Sequence, residues 1–428
     1  MDLNNVTFDW ILDSPKHWKK ERVKNHFILT KNKCEDPEGY PILSLTMRGI
    51  IEKDITSNEG QLPDTYNGYT LLKRNDIVFN PMDLISGWVD SSNYEGLISP
   101  SYKVLRPNSN NVDIKFYTYY FQIHYKEKIF FPFGEGVHYE YRWGLGTETL
   151  KNFPILVPPI SEQQQIVEFL DTKTELIDSL IEKTERKIKL LKEKRTSLIN
   201  ETVTKGLNPN VEMKDSGVEW IGEIPSHWTT PKLSYYCEVK DGTHSTPKYV
   251  DTGYPLVTQK DIRKGELDFS KTKNISQEDY DEINRRSNVV FGDIIMSMIG
   301  SIGNPTIVET KVPFSIKNVC LFKTSESNEL TNFIHYFLNS SVLMTELELK
   351  SRGGVQGFVS LDVLRNISFI RPPISDQQQI VEYLDEQTGI IDKTISNEKK
   401  RIELLKEYRQ SLISEVVTGK RKVTNKLW

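Results

Sequence analysis

The chain is poor in cysteine: Cys34, Cys237 and Cys320 are its only three in 428 residues, widely spaced and with no C-x-x-C pair. That spacing argues against a disulfide frame or a zinc site and fits reduced, buried or incidental thiols. Nor does any apolar run approach the roughly 20 residues that cross a bilayer. The opening MDLNNVTFDW has neither a basic start nor an apolar core, so no secretory signal, no membrane partner and a cytoplasmic location are expected. An excess of positive charge is missing as well. The formal net charge is −4, with 18 Lys+Arg against 20 Asp+Glu in residues 1–157 and 18 against 21 in residues 207–371. Charge alone therefore does not point to nucleic acid, and a DNA-binding face would have to come from local arrangement.

Catalytic signatures are missing too. No GxxxxGK[ST] loop is present to hold ATP phosphates. Asn80-Pro81-Met82-Asp83 opens like the proline-rich turn of an adenine methyltransferase, but it lacks the second proline and the aromatic that stacks on a flipped base. Phe131 begins FPFGEG, which resembles a glycine-rich cofactor loop only loosely. Pro63-Asp64 starts like a metal-dependent nuclease site, yet the next acid-x-Lys is distant, at Asp113 and Lys115. His17 and His227 stand at matched positions beside Trp18 and Trp228, which suggests a structural role and not a metal site. No catalytic residue, metal site or cofactor is expected in this chain.

What the sequence does contain is a duplication. PPISEQQQIVEFLDTKTELID from Pro158 matches PPISDQQQIVEYLDEQTGIID from Pro372, and over 49 gapless positions 28 are identical. WILDSPKHW from Trp10 matches WIGEIPSHW from Trp220. Weaker echoes lie between: GYPILSLT (Gly39) with GYPLVTQK (Gly253), and NDIVFNPM (Asn75) with GDIIMSMI (Gly292). Two units of about 210 residues are far longer than solenoid repeats. Each unit has matched ends and a diverged middle, as expected of two copies that share a mechanical task but touch different things.

The strongly matched ends predict long helices. The proline pairs stop an extended segment. Ser161 and Ser375 are N-cap candidates, followed by Glu162 and Asp376 in the first turn. Leu170, Ile177, Leu191 and Leu198 recur at one heptad position, with Ile181 and Ile188 at the other. The second copy keeps the register with Leu384, Ile391, Leu405 and Leu412, and with Ile395 and Ile402. Polar residues fall at corresponding layers, Thr184 with Glu398 and Arg195 with Arg409. A helix of about 44 residues is roughly 66 Å long and, with one narrow apolar stripe, needs a partner. A pseudo-twofold relation between the copies would pair the helices antiparallel; the alternative is that each packs on its own globular portion. The outward Lys183, Arg186, Lys187 and Lys194 read as a solvated face or a docking surface.

The middles read as compact mixed domains. DIVF, KVLR and FPILVPP in the first, and DIIM, VCLF and ISFIRPP in the second, are short apolar runs without helical period. One helix is expected in each, around FYTYYFQIHY (Phe116) and TNFIHYFLNS (Thr331), with their aromatics in the core. The fold class is α+β: two globular mixed α/β domains, at 1–157 and 220–371, separated by two long helices at 158–206 and 372–418 that form an antiparallel coiled coil. A linker at 207–219 and a tail at 419–428 complete the pseudo-twofold internal repeat.

KDSGVEWIGEIPSHW (Lys214 to Trp228), the two PPIS-x-QQQIVE-x-LD segments, and the closing RTSLINETVTKG and RQSLISEVVTGK together resemble the specificity subunit of type I restriction–modification systems. The resemblance covers essentially the whole chain; the first copy lacks the KDSG lead-in. It implies a non-catalytic subunit whose two target recognition domains each read one half of a bipartite, asymmetric site in double-stranded DNA. The helices would set the spacer and bind two methyltransferase (modification) subunits. Those partners would hold S-adenosylmethionine, and restriction/translocase subunits would supply ATP- and Mg2+-dependent work, placing the chain in the prokaryotic cytoplasm on the nucleoid. A coiled-coil scaffold with two protein- or carbohydrate-binding domains is the alternative.

Base reading needs forked or amide side chains on loops, and phosphate contacts need Lys, Arg and hydroxyls. The DNA-contact candidates of the first domain are Thr46, Arg48, Asn80, Asp83, Ser99, Tyr102, His138, Tyr139 and Arg142. Those of the second are Thr243, His244 and Thr246 in DGTHSTP, then Gln259, Lys260, Arg263, Ser297, Ser301, Lys317, Arg352 and Gln356.

Overall fold

The computed structural model describes residues 13–30, 32–54, 63, 65–136, 143–263, 265–300, 302–327, 329–351 and 358–423. Two helices dominate it, a central one at Ile160–Lys205 and a C-terminal one at Ile374–Val417. The chain divides into two compact units that cut across the consecutive segments expected from the sequence. One holds residues 1–184 and 400–428, the other 185–399, so each contains a stretch of both long helices.

Both helices begin two residues earlier than the serine caps predict. The Pro159 carbonyl accepts the amides of Glu162 and Gln163 at 2.9 and 3.0 Å, and that of Pro373 accepts Asp376 and Gln377 at 3.0 Å each. The serines therefore sit inside the first turn. At the other end the central helix stops at Gly206 (φ +73°), and the C-terminal helix is followed by Gly419 (φ +75°), the left-handed geometry that glycine adopts without a Cβ penalty. These glycines correspond structurally, one residue out of the gapless alignment that sets Gly206 against Lys420.

The heptad positions lie in the seam. Leu170, Ile177 and Leu412 are buried in the first unit, and Ile188, Leu384, Ile391 and Ile395 in the second, with Ile402 also buried. Ile181, Leu191, Leu198 and Leu405 are half-buried. Each fully buried aliphatic side chain contributes about 1.5–3 kcal/mol. In the second unit Lys187 meets Glu398 at 2.5 Å and Arg195 meets Asp392 at 3.0 Å, so rising numbers on one helix face falling numbers on the other. In the first unit Arg409 meets Asp178 at 2.9 Å. Exchanging the two copies converts the Arg195–Asp392 pair into Arg409–Asp178. The two arginines at the polar layer thus serve, each in its own unit, as partners of repeat-equivalent aspartates on the facing helix. Thr184, at the other polar layer, turns its hydroxyl to the Leu180 carbonyl at 2.7 Å.

Each lobe stacks two sheets outward from the helices. In the first, an inner antiparallel sheet has the order Phe27–Thr30, Lys103–Pro107, Ile77–Phe79, Val89–Ser91. The second lobe repeats it as Val239–Asp241, Val319–Phe322, Ile294–Ser297, Gly303–Ile307. Side chains alternate across these strands. Ile77, Phe79 and Leu105 share a core with Leu170 and Leu412, whereas Val78 and Val104 join the outer core with Leu43 and Ile98. Ile294, Met296 and Phe322 likewise pack with Ile380 and Leu384, while Ile295 and Leu321 face outward. Cys237 and Cys320 are buried free thiols in that inner core.

The same acid–base pair pins both inner sheets. Asp76 receives Arg106 at 2.6 and 2.8 Å, and buried Asp293 receives Lys323 at 2.8 Å.

The middles hold more helices than the single one expected in each. Ile114–Lys126 and Thr331–Leu338 are the predicted pair, but Thr147–Asn152, Gln277–Ser287, Ser341–Ser351 and Leu361–Arg365 are also helical. ISFIRPP, expected as a strand, makes only isolated bridges at Ser368 and Arg371. The expected linker is partly sheet, because Met213–Asp215 pairs antiparallel with Glu223–Pro225.

Each lobe is seated on the long helices by repeated contacts. Trp18 and His17 hydrogen-bond Glu162 at 2.8 Å each, and Trp228 and His227 hold Asp376 at 3.0 and 2.9 Å. Burial would raise the Asp376 pKa, but hydrogen bonds from His227, Trp228 and Ser375 outweigh it and hold the carboxyl below its ordinary range. Gln163 donates to the carbonyls of Pro158 and Asn111 and accepts from Asp113 N–H. Gln377 donates to the Pro372 carbonyl and to the Glu329 carboxylate, and accepts from Leu330 N–H. The Tyr119 hydroxyl donates to Asp171 at 2.8 Å, and Tyr336 to Asp385 at 2.6 Å. These contacts explain why the PPISxQQQIVE and P-x-H-W segments match.

Candidate nucleic-acid interface

The outer sheets share three strands, a central strand with an antiparallel neighbour on one side and a parallel one on the other, and differ in where the fourth strand is added. In the first lobe Ile42–Leu43 lies parallel to Leu97–Ile98, and in the second Leu256–Val257 lies parallel to Ser315–Ile316. Just beyond each pair the two chains diverge and open a cleft. In the first lobe it is about 500 Å³ and is lined by Ser44, Lys53, Tyr66, Tyr69, Ser99 and Tyr102. In the second it is about 520 Å³, with Tyr249, Gln259, Lys260, Lys271, Lys273 and Lys317 prominent in its lining. One topological position thus carries two chemistries: hydroxyls and aromatics in one lobe, ammonium groups and an amide in the other.

In the second cleft Lys273 Nζ sits 4.4 Å from the Tyr249 ring centroid, a cation–π contact. The Lys317 ammonium contacts the Thr246 hydroxyl. Gln259 Oε1 is buried without a hydrogen-bond partner. Asp261 accepts both the amide and the hydroxyl of Thr258 at 2.8 Å, so its carboxylate serves its own turn. At the neighbouring DGTHSTP loop, His244 bridges Asn318 and the buried Asp241 at 2.9 and 2.8 Å, and Arg286 also contacts Asp241. Thr243 shares a 2.8 Å hydroxyl contact with Ser245.

In the first cleft Tyr66 and Tyr69 meet edge to face at 5.2 Å. Burial, followed by the proximity of Tyr66 and Tyr102, raises the Tyr69 phenol pKa, so it remains a donor. Beside this cleft the hairpin joining Ile42–Thr46 to Gly49–Glu52 presents exposed Arg48. Thr46 closes that turn, donating to the Gly49 carbonyl at 2.9 Å and accepting Arg48 N–H at 3.1 Å. Arg48 lines a second hollow of about 560 Å³ with Asp90, Tyr94, Lys115 and Gln122. Burial raises the Asp90 pKa there, against a lowering contribution from the Ser91 amide.

The predicted contact residues fall into three groups. Arg48, Ser99, Tyr102, Gln259, Lys260 and Lys317 line clefts, and Thr243, His244 and Thr246 stand on the adjoining loop. Others are committed to their own folds. Asn80 accepts Met82 N–H, and Asp83 accepts Ile85 and Ser86 N–H; against opposing burial, the Ser86 hydroxyl and these amides lower the Asp83 pKa. Ser297, expected at the surface, is buried in the inner sheet with its hydroxyl on the Ile299 carbonyl at 2.9 Å, because it ends a strand whose neighbours cover both faces. His138, Tyr139, Arg142, Ser301, Arg352, Gln356 and the Arg263 side chain lie outside the described residues. Tyr66, Tyr69, Tyr249, Lys271 and Lys273 were not foreseen; the Lys-x-Lys spacing before a strand is the one local signal that pointed to any of them.

Two α+β lobes with matched seats and unlike clefts, each built on stretches of a pair of long helices, define a duplicated two-headed recognition protein. The chain belongs to the family described as type I restriction modification DNA specificity domain, whose model matches residues 21–190 and 225–407. It is 23% identical to the type I restriction enzyme MjaVIII specificity subunit of Methanocaldococcus jannaschii, over 96% of this chain and 94% of that one. It is 27% identical to the Escherichia coli EcoBI specificity subunit, over 64% of this chain and 60% of that one. Among solved structures, a chain of a type I R-M system superposes with a TM-score of 0.72 at 14% identity, covering 94% of this chain and 98% of that one. The HsdS subunit from Thermoanaerobacter tengcongensis gives 0.55 at 15% identity, covering 95% and 98%. Among the described residues no helix is long and apolar enough to cross a membrane.

Proposed function

We propose that this chain is the DNA-reading specificity subunit of a type I restriction–modification complex, with the first lobe reading one half-site and the second lobe the other. The observation that carries this is the cleft beside the parallel strand pair, kept in place in both lobes and lined differently in each. Two unlike readers on one repeated frame suit an asymmetric bipartite sequence. The long helices set the distance between the half-sites and dock two methyltransferase subunits. Support for two identical partners comes from their outward faces. Leu176 and its repeat equivalent Ile390 are 55% and 56% exposed, and Leu190 and Leu404 are 56% and 55% exposed, so the copies offer matching apolar positions. The methyltransferase partners hold S-adenosylmethionine and methylate adenine N6, and motor–nuclease partners use ATP and Mg2+.

The test is sequencing of adenine methylation in cells carrying the chain with its partners. Arg48→Ala is expected to relax or abolish recognition of one half-site only; equal relaxation of both would refute the assignment. Residues inserted at Leu207–Asn210 are expected to lengthen the spacer and leave both half-sites unchanged.

A further inference from the structure

Resting on that DNA-reading function, we infer that the two lobes grip DNA unequally: the lysine-lined cleft of the second lobe is a phosphate-backbone site, and its counterpart in the first lobe is not. The cleft brings together Lys260, the neighbouring Lys271 and Lys273, and Lys317 from three separate segments. Its one acidic lining residue among those described, Asp261, is turned to the amide and hydroxyl of Thr258. This concentration of positive charge stands in a segment, residues 207–371, with 18 basic against 21 acidic residues, so it is local and not a consequence of composition. Two of the ammonium groups are positioned by neighbours, Lys273 over the Tyr249 ring and Lys317 against the Thr246 hydroxyl. An ammonium is a compact, strongly hydrated point charge that suits a phosphate oxygen. Among the described residues, the equivalent cleft of the first lobe has three tyrosines, two serines and the single lysine Lys53. Aromatic faces and hydroxyls bind nucleotides with little counterion release, whereas each lysine–phosphate contact releases counterion and steepens the salt dependence.

The difference is measurable without knowing the target sequence. The full-length chain, alone and assembled with its methyltransferase partners, is titrated against a 30-base-pair random-sequence duplex (an arbitrary length of about three helical turns). Fluorescence anisotropy follows binding between about 50 and 200 mM KCl. K271Q/K273Q is expected to lower the magnitude of the log K–log salt slope by about 2, and adding K260Q/K317Q to lower it by about 3–4 in total, at roughly 0.9 per contact. K53Q is expected to change the slope by about 1 at most. The four lysine-to-arginine replacements keep the wild-type slope, and thermal unfolding midpoints show that each variant is folded. A quadruple glutamine variant that is folded and binds with the wild-type slope overturns the phosphate site while leaving the DNA-reading function intact. An effect of K53Q as large as that of the quadruple variant overturns the inequality. An unaltered chain that binds no duplex in either preparation overturns the DNA-reading function itself.

Discussion

The inner and outer sheets of the two lobes have diverged to different degrees, and distance from the long helices sorts them. The inner sheets keep the same strand order and the same pinning pair, Asp76–Arg106 in one lobe and Asp293–Lys323 in the other. Their inward side chains share a core with the helices, so a change there disturbs the seat of the whole lobe. The outer sheets keep the parallel pair and one antiparallel neighbour but add their fourth strand at opposite edges. Gly49–Glu52 and Lys273–Ile275 are the shared antiparallel neighbours; the fourth strand is Thr70–Leu72, beside Gly96–Ile98, in the first lobe and Tyr249–Val250, beside Lys273–Ile275, in the second. Shape is held constant where the lobe meets its support, and chemistry is free to vary where it faces outward.

The sharpest way to break this comparison is at the pinning pairs. Lys323 is 4% exposed and Asp293 fully buried, and Asp293→Ala leaves the Lys323 ammonium only the Asn288 carbonyl and the exposed Glu326 carboxylate at 3.4 Å, so it is expected to cost about 3 kcal/mol in urea unfolding. Arg106 is 27% exposed and can turn to water, so Asp76→Ala is expected to cost about 2 kcal/mol. Equal costs would show that the pairs are not graded by burial. Next come the seats. Gln377→Leu strands Leu330 N–H and removes one of the donors to the buried Glu329 carboxylate, which keeps Arg371 at 3.0 Å, for about 3 kcal/mol, while Gln163→Leu strands only backbone groups, for about 2 kcal/mol.

Acid should separate the lobes further. Burial pushes the His124 imidazole down to about 3, with the Tyr120 carbonyl opposing, and lowers His335 as well. A histidine depressed in the folded state contributes stability that is complete above its unfolded value near 6.5 and is lost as the pH falls toward 3. His124→Phe is expected to flatten the stability–pH curve of the first unit across that window, read by tryptophan fluorescence; an unchanged curve would show that His124 does not drive the loss. The smallest effect on stability is expected from Leu190→Ser and Leu404→Ser, each within about 0.5 kcal/mol of wild type because both side chains are already exposed. Each should weaken methyltransferase capture to a similar degree, measured by analytical ultracentrifugation. An effect confined to one of them would mean that the helices are not equivalent docking faces.

Much of this architecture was legible in the residues. The heptad spacing of Leu170, Ile177 and their equivalents marked the helix pair because the period is local and repeated twice. NDIVF and GDIIM marked equivalent inner strands, and the His-Trp pairs marked structural positions. The outer sheet was not legible. Its strands are two to five residues long, and the parallel pairing joins Ile42 to Leu97 and Leu256 to Ser315, partners that no local pattern connects. The clefts inherit that opacity, since Tyr66 and Tyr102, or Lys271 and Lys317, become neighbours only through it. Gln277–Ser287 escaped because its residues are polar on nearly every face. The one clue was Ser276, whose hydroxyl caps Asp279 N–H at 3.1 Å.

The tryptophan that opens each lobe lies between two long-helix ends. Trp18 bonds Glu162 at the start of one helix and packs where a Cβ on Gly419 would come within 3.0 Å; Trp228 bonds Asp376 and packs against Gly206, where the corresponding distance is 3.1 Å. The two mounts accept the same key, and nothing in either key depends on the word its lobe reads. At this contact the lobes are interchangeable. A chain with its two middles transposed should still assemble, and it would read the same two words in the opposite order.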